Sequence, residues 1–163
     1  MSDVCWCAEH ALADLCTEAR RRRVRETGGA LLGWRGPEGP FITWVLGPGP
    51  KAHHGWSSFE PDAEWQSAEG ARIYRATGRQ VAYLGDWHTH PRGGDKPSAQ
   101  DRKTAQMIAD DEAFRAPTPL YAIAHRSRRF RGDWRLTVYE VRRERLLALK
   151  VRIVNAPPPI GRL

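Results

Sequence analysis

The segment Val81 to His90, VAYLGDWHTH, constrains the fold of this chain more than any other. It reads as a central strand stopped by Pro91, whose ring removes a backbone donor and pushes the residue before it into an extended conformation. A buried strand needs partners on both sides, and the chain supplies them. Thr27 to Trp34 (TGGALLGW) reads as a second buried strand, with a turn at Gly36-Pro37 and a hairpin partner at Phe41 to Leu46. Leu120 to His125 and Trp134 to Val141 read as strands, and Leu146 to Val154 as a further one. Helices are expected at three places. Over Ala8 to Arg25, Ala11, Leu12, Leu15, Cys16 and Ala19 recur at three- and four-residue steps. Asp62 to Thr77 ends at a Gly78 cap signal, and a third helix runs from Ser98 to about Phe114. Gly47-Pro48-Gly49-Pro50 breaks regular structure, residues 51–61 read as irregular, and residues 91–97 form a loop. The order is helix, two strands, helix, strand, helix, then two or three strands. It predicts an α/β fold with a mixed β-sheet flanked by helices, not a regular parallel repeat.

A chain of 163 residues suits one domain, taken as residues 1–155 with a ragged tail at 156–163 that opens on Ala156-Pro157-Pro158-Pro159. Hydrophobic residues at 40% and charged residues at 28% exclude a disordered or fibrous chain. No apolar run approaches the ~20 residues that a membrane helix needs, and the first ten residues lack the basic-then-apolar pattern of a secretory signal. A cytoplasmic location is therefore expected, with Cys5, Cys7 and Cys16 as reduced thiols. Cys5, Cys7, His10 and Cys16 can be imagined around zinc. Their spacing fits no common structural pattern, and Cys16 suits the apolar face of the first helix.

Basic residues outnumber acidic ones 26 to 19, a net charge of +7, which raises the prospect of an acidic partner. Arg20 to Arg25 and Arg126 to Arg131 would be the patches of a nucleic-acid binder. The simpler reading is a solvated basic surface, with Arg20 to Arg23 complementing the carbonyl end of the first helix. No recognised nucleic-acid module is present, so nucleic acid is not the expected partner.

The chemistry concentrates in His88-Thr89-His90-Pro91, followed by Ser98 and Asp101. Strand side chains alternate faces, so His88 and His90 point the same way. Ser98 and Asp101, three apart, share the first turn of the next helix, and the loop between can fold that turn back onto the strand end. A lone His-x-His is often only a strand feature, and Ser98 with Asp101 also reads as a helix cap with an acid in its first turn. The cap and ligand readings are compatible. Two imidazoles and one carboxylate leave a fourth position open for water, the ligand set of a catalytic zinc site rather than a closed structural one. Glu26, at the entrance of the Thr27 strand, is placed to reach that water as a general base.

Glu26, His88, His90, Ser98 and Asp101, with residues 91–97 as a seven-residue spacer, resemble the JAMM motif of the JAB/MPN metalloprotease family. Glu26-Thr27-Gly28-Gly29-Ala30-Leu31-Leu32-Gly33 is similar to the family's first-strand signature, and Asp86-Trp87-His88-Thr89-His90-Pro91 to its metal strand. Gly47-Pro48-Gly49-Pro50 and Ser58-Phe59-Glu60-Pro61-Asp62 are similar to the bacterial Prok-JAB branch, and the likeness runs over roughly residues 8 to 140. The zincin His-Glu-x-x-His pattern is absent.

The resemblance implies an MPN/JAB, cytidine-deaminase-like sandwich. It implies one Zn2+ per chain, held by His88, His90 and Asp101 with a bound water as fourth ligand. Glu26 would take the water's proton and pass it to the leaving amine, and Ser98 would hydrogen-bond the oxyanion. Asp86, on the histidine face, would be either a partner that fixes a histidine tautomer or a solvated strand-edge acid. The implied reaction is hydrolysis after the C-terminal glycine of a ubiquitin-like protein or its conjugate. Standalone bacterial members sit in ubiquitin-like conjugation operons, some beside the nucleotidyltransferases of CBASS anti-phage systems. Related proteins instead trim the C-terminus of sulfur-carrier proteins, and some MPN domains are scaffolds without metal ligands. Candidate cleft walls are residues 51–61 and 110–119. Of the seven tryptophans, which include Trp44, Trp56, Trp65, Trp87 and Trp134, most are expected in the core. Trp56 is the one expected at the surface, where it can line a substrate groove, and His53-His54 is expected as loop surface.

Overall fold

Strands that are apolar at every position must be covered on both faces, and residues 28–33 and 120–124, buried at every position, obey that rule. The computed structural model describes residues 2–126, 133–143 and 145–156. The elements are β1 (Val4–Ala8), α1 (Glu9–Arg21), β2 (Gly28–Gly36), β3 (Gly39–Val45), β4 (His53–His54), β5 (Phe59–Glu60), α2 (Ala63–Ala76), β6 (Ala82–His90), α3 (Ala99–Asp110), a 3-10 turn at Glu112–Phe114, β7 (Leu120–Arg126), β8 (Trp134–Arg142) and β9 (Arg145–Val154). Seven strands form one closed mixed sheet in the order β1-β3-β2-β6-β7-β8-β9, with β1 returning to pair with β9. β6 lies antiparallel to β2 and parallel to β7.

Alternation sorts the strand side chains between helices. Leu31, Ile42, Leu84, Trp87, Leu120 and Ala122 form the main core with Ala11, Leu15, Cys16 and Ala19 of α1. Ala30, Leu32 and Val81 pack instead with Ile73 of α2, and Tyr121 and Val141 with Ala105 of α3. Trp87 anchors β6: it is 1% exposed, and its indole N–H donates to the Leu46 carbonyl at 2.9 Å. Gly85 has φ +152°, and a Cβ there would stand 1.9 Å from the Leu120 carbonyl oxygen. Glycine at this position lets β6 and β7 approach where the β2–β6 register shifts at Leu31/Leu32.

Several expectations need correcting. β1 was not expected; it takes the residues just before the first helix and buries Cys5 and Cys7. α1 stops at Arg21, so Arg22, Arg23 and Arg25 lie beyond it. α3 ends at Asp110, four residues before Phe114. Residues 51–61 are not wholly irregular, because β4 and β5 form a small antiparallel ladder. Of the tryptophans, Trp87 and Trp134 are buried, whereas Trp34 and Trp65 join Trp56 at the surface. All three cysteines are unpaired and buried. Most of the Arg126 to Arg131 patch, and the tail from residue 157, lie outside the described residues.

Candidate metal centre

β6 delivers the two histidines. Trp87 belongs to the α1 core, so alternation turns His88 and His90 to the opposite face of the strand. α3 begins just after the loop, at Ser98. The Ser98 hydroxyl accepts from the Asp101 N–H at 3.1 Å, and the Asp101 carboxylate accepts from the Ser98 N–H at 2.6 Å. This reciprocal cap fixes the first turn and aims Asp101 at the strand end. His88 Nε2 lies 3.1 Å from Asp101 Oδ1, His90 Nε2 lies 3.3 Å from Asp101 Oδ2, and the two imidazole nitrogens are 2.9 Å apart.

These distances test whether the donors fit an ion. Tetrahedral zinc bound at about 2.0–2.1 Å has donor–donor edges of about 3.3 Å. The three observed distances, 2.9 to 3.3 Å, are close to that size but run to both Asp101 oxygens; taking one donor atom from each residue, all three lie within 4.8 Å of one another. The chemistry of the set agrees. His90 Nδ1 lies 2.9 Å from the Gly94 carbonyl, which as an acceptor places the ring proton on Nδ1 and leaves the Nε2 lone pair facing Asp101. Tyr121 donates its hydroxyl to Asp101 Oδ1 at 3.3 Å, and its ring lies 5.1 Å from that of His88. Burial alone would raise the Asp101 carboxyl. Hydrogen bonds from His88 and His90, made when the rings also carry a proton on Nε2, outweigh it and hold the group far below the ordinary carboxylate range. The bond to Asp101 raises His90 in turn. Among the described residues, His88, His90 and Asp101 are the His/Cys/Asp/Glu group able to share one ion.

Glu26 reaches the site through backbone pairing. The Thr27 N–H donates to the Thr89 hydroxyl at 3.0 Å, and the Thr89 N–H donates to the Thr27 carbonyl at 2.8 Å. Both threonines are fully buried, and the contact locks the start of β2 beside the His-Thr-His end of β6. The Glu26 N–H donates to the Gly55 carbonyl at 3.0 Å, and His54 Nδ1 donates to the Glu26 carbonyl at 3.0 Å. Half-burial raises the Glu26 carboxyl. His88 and His90 pull it down and Asp101 pushes it up, so it senses the charge of all three.

Sequence reasoning grouped Glu26, His88, His90, Ser98 and Asp101, and the fold gathers all of them at one end of β6. It passed over Thr89, Tyr121 and Gly94. Thr89 was legible, as the buried residue between two histidines. Tyr121 was not, because its place beside Asp101 comes from the β6–β7 register. Asp86 matches neither expectation closely. It accepts from the Tyr83 hydroxyl at 2.8 Å, and burial pushes its carboxyl up to about 6 against the lowering effects of Tyr83 and His88. His54, expected as loop surface, is half-buried and tied to Glu26. Trp56 is 60% exposed, as expected.

A mixed sheet with helices, ending in two imidazoles and a carboxylate around one point, defines an α/β domain with a donor group able to hold a metal ion. The model of the Prok-JAB family, prokaryotic homologs of the JAB domain, matches residues 8–137, and the chain belongs to that family. It is 36% identical over 122 residues to a probable metalloprotease, y4qB, of Sinorhizobium fredii (strain NBRC 101917 / NGR234), covering 74% of each chain. It is 29% identical over 82 residues to a CD-NTase/cGAS isopeptidase of Escherichia coli (strain TW11681), covering 50% of this chain and 53% of that one. The fold matches the solution structure of protein DSY2949 from Desulfitobacterium hafniense with a TM-score of 0.71 at 18% identity, over 93% of this chain and 94% of that one.

Proposed function

We propose that this protein is a zinc-dependent deconjugating peptidase of the JAMM type. In this reading it cuts the amide or isopeptide bond after the C-terminal glycine of a ubiquitin-like protein, or of a conjugated protein such as a nucleotidyltransferase. The observation that carries the proposal is the convergence of His88 Nε2, His90 Nε2 and Asp101 beside Glu26. The named activities of the two relatives support the reaction class.

His88, His90 and Asp101 would hold the ion. When bound, zinc supplies Lewis acidity and draws the pKa of a coordinated water towards neutrality. Glu26 takes a proton on its carboxylate and returns it to the leaving amine nitrogen, a role suited to a half-buried acid with a raised pKa. Ser98 already accepts the Asp101 N–H, so its own hydroxyl hydrogen remains to be donated to the carbonyl oxygen as that oxygen gains charge. Gly94 and Tyr121 hold His90 and Asp101 in place. Three buried, unpaired thiols suit the reducing cytoplasm, and no helix among the described residues is long and apolar enough to cross a membrane.

The test is cleavage of fusions that join a glycine-ended ubiquitin-like protein to a reporter, through a linear or a lysine-linked bond. Activity that a chelator removes and zinc restores is expected. Cleavage that survives complete metal removal contradicts the proposal.

A further inference from the structure

Two arginines flank the metal centre in sequence, and both come to the same exposed ring. Arg25 immediately precedes Glu26, and Arg92 follows His90 by two residues. Trp56 sits in the turn between β4 and β5, next to Gly55, whose carbonyl accepts from Glu26. The Arg92 guanidinium carbon lies 4.8 Å from the Trp56 ring centroid and that of Arg25 lies 5.6 Å away. Arg25 is steadied further by donating to the His54 carbonyl at 3.2 Å.

Two like charges gathered at one ring repel each other, so the arrangement is not explained by their mutual energy. Nor are they neutralised. Among the described residues neither pairs with a carboxylate, as is true of most of the described arginines; what sets these two apart is their convergence on one ring beside the metal centre. A guanidinium stacked on an aromatic ring keeps N–H donors free at its edge, in a planar fork that matches a carboxylate. The result is an exposed, doubly positive, half-aromatic surface beside the base of the proposed reaction.

We infer that Arg25, Trp56 and Arg92 form a recognition subsite for an acidic side chain of the polypeptide substrate, close to the bond that is cut. The inference rests on the peptidase reading above and adds the chemical class of the substrate. Its place beside an amide-cutting centre favours a peptide carboxylate over a phosphate. A single exposed tryptophan offers one stacking surface, short of the run of aromatics that binds single-stranded nucleic acid.

The experiment uses the zinc-loaded Glu26→Gln protein and fluorescein-labelled, C-terminally amidated peptides built around a central Gly-Gly. One Asp is moved position by position, each peptide being matched by its Asn counterpart, and Kd is read by anisotropy. A separate peptide with a free C-terminus and no acidic side chain distinguishes a terminal carboxylate from a side-chain one. Asp at one or two positions is expected to bind about tenfold tighter than Asn, as a charge-assisted pair does. Adding Arg92→Gln should erase most of that difference, and Arg92→Glu, whose charge cancels that of Arg25, should erase it fully. Arg92 is exposed, so neither change threatens the fold.

Equal Kd values for Asp and Asn everywhere, no measurable binding of any acidic peptide, or a preference that survives Arg92→Gln and Arg25→Gln would overturn the inference. So would tightening by the free C-terminus alone, or displacement by a single-stranded oligonucleotide at lower concentration than by the acidic peptide. Hydrolysis by the wild-type protein is followed separately. Its absence beside an intact Asp preference contradicts the peptidase reading and leaves the subsite standing.

Discussion

At the scale of single residues, the centre assigns separable tasks to side chains that lie close together. Glu26 is not a ligand in this scheme, so Glu26→Gln should keep zinc while lowering the rate by about 10²–10⁴-fold, the usual worth of a general base. Metal content and turnover, measured on one preparation, check both halves, and unchanged turnover would remove Glu26 from the mechanism. Ser98 caps α3 and is proposed to hydrogen-bond the oxyanion, and variants can separate the two. Ser98→Ala removes the cap on the first turn of α3 and should cost about 1 kcal/mol as well as activity. Ser98→Asp retains a capping oxygen but no ordinary hydroxyl donor, so thermal stability should return while turnover does not. A variant that recovers both would leave Ser98 with the cap alone. Tyr121→Phe removes one long hydrogen bond to Asp101, and zinc affinity measured by competition with a chelator should fall by up to about tenfold.

Secondary-structure elements place these residues, and their legibility in the sequence was uneven for physical reasons. β6 was readable because it carries its own signals, an apolar run stopped by Pro91. The cap of α3 was readable because Ser98 and Asp101 lie within one turn. β1 was missed because its pairing with β9 joins Cys5 to Val151, and no local pattern of five residues reports a partner so distant in sequence. β4 and β5 were missed because two-residue strands have no period to detect. Burial in β1 has a measurable consequence. Desolvation raises Cys5 strongly and pushes Cys7 up to about 12 from an ordinary value near 9. Between those values the unfolded chain has lost thiol protons that the folded chain keeps, so stability should fall as pH rises through that interval. Urea unfolding at a series of alkaline pH values tests this, and Cys5→Ala with Cys7→Ala should flatten the slope. Gly85→Ala should destabilise by at least about 1–3 kcal/mol, because the new methyl group meets the Leu120 carbonyl and the backbone has positive φ.

For the molecule as a whole, closure of the sheet was the feature the sequence did not reveal. The element order gave the α/β class and the mixed sheet. The join between β1 and β9 is a tertiary event, and so is the ion cluster that binds β2, β8 and the N-terminal segment together. There Glu140 is 3% exposed and accepts from Arg35 at 2.5 Å and from Arg142, which also reaches the Ser2 carbonyl at 2.7 Å. Removing the carboxylate strands one mostly buried guanidinium and one partly exposed one. Glu140→Ala should therefore cost about 3 kcal/mol, at the lower end of what a broken buried pair costs, since solvent screens Arg35. A chemical denaturation midpoint unchanged in that variant would show that the cluster contributes nothing to closure.

The metal assignment stands above every other functional statement, and it has a direct measurement. Wild-type protein and Asp101→Ala are each saturated with zinc, desalted, and assayed for zinc per chain by mass spectrometry. The arrangement of His88, His90 and Asp101 predicts one zinc per wild-type chain and essentially none in the variant. A wild-type chain that retains no zinc, or an Asp101→Ala chain that retains as much, would contradict it.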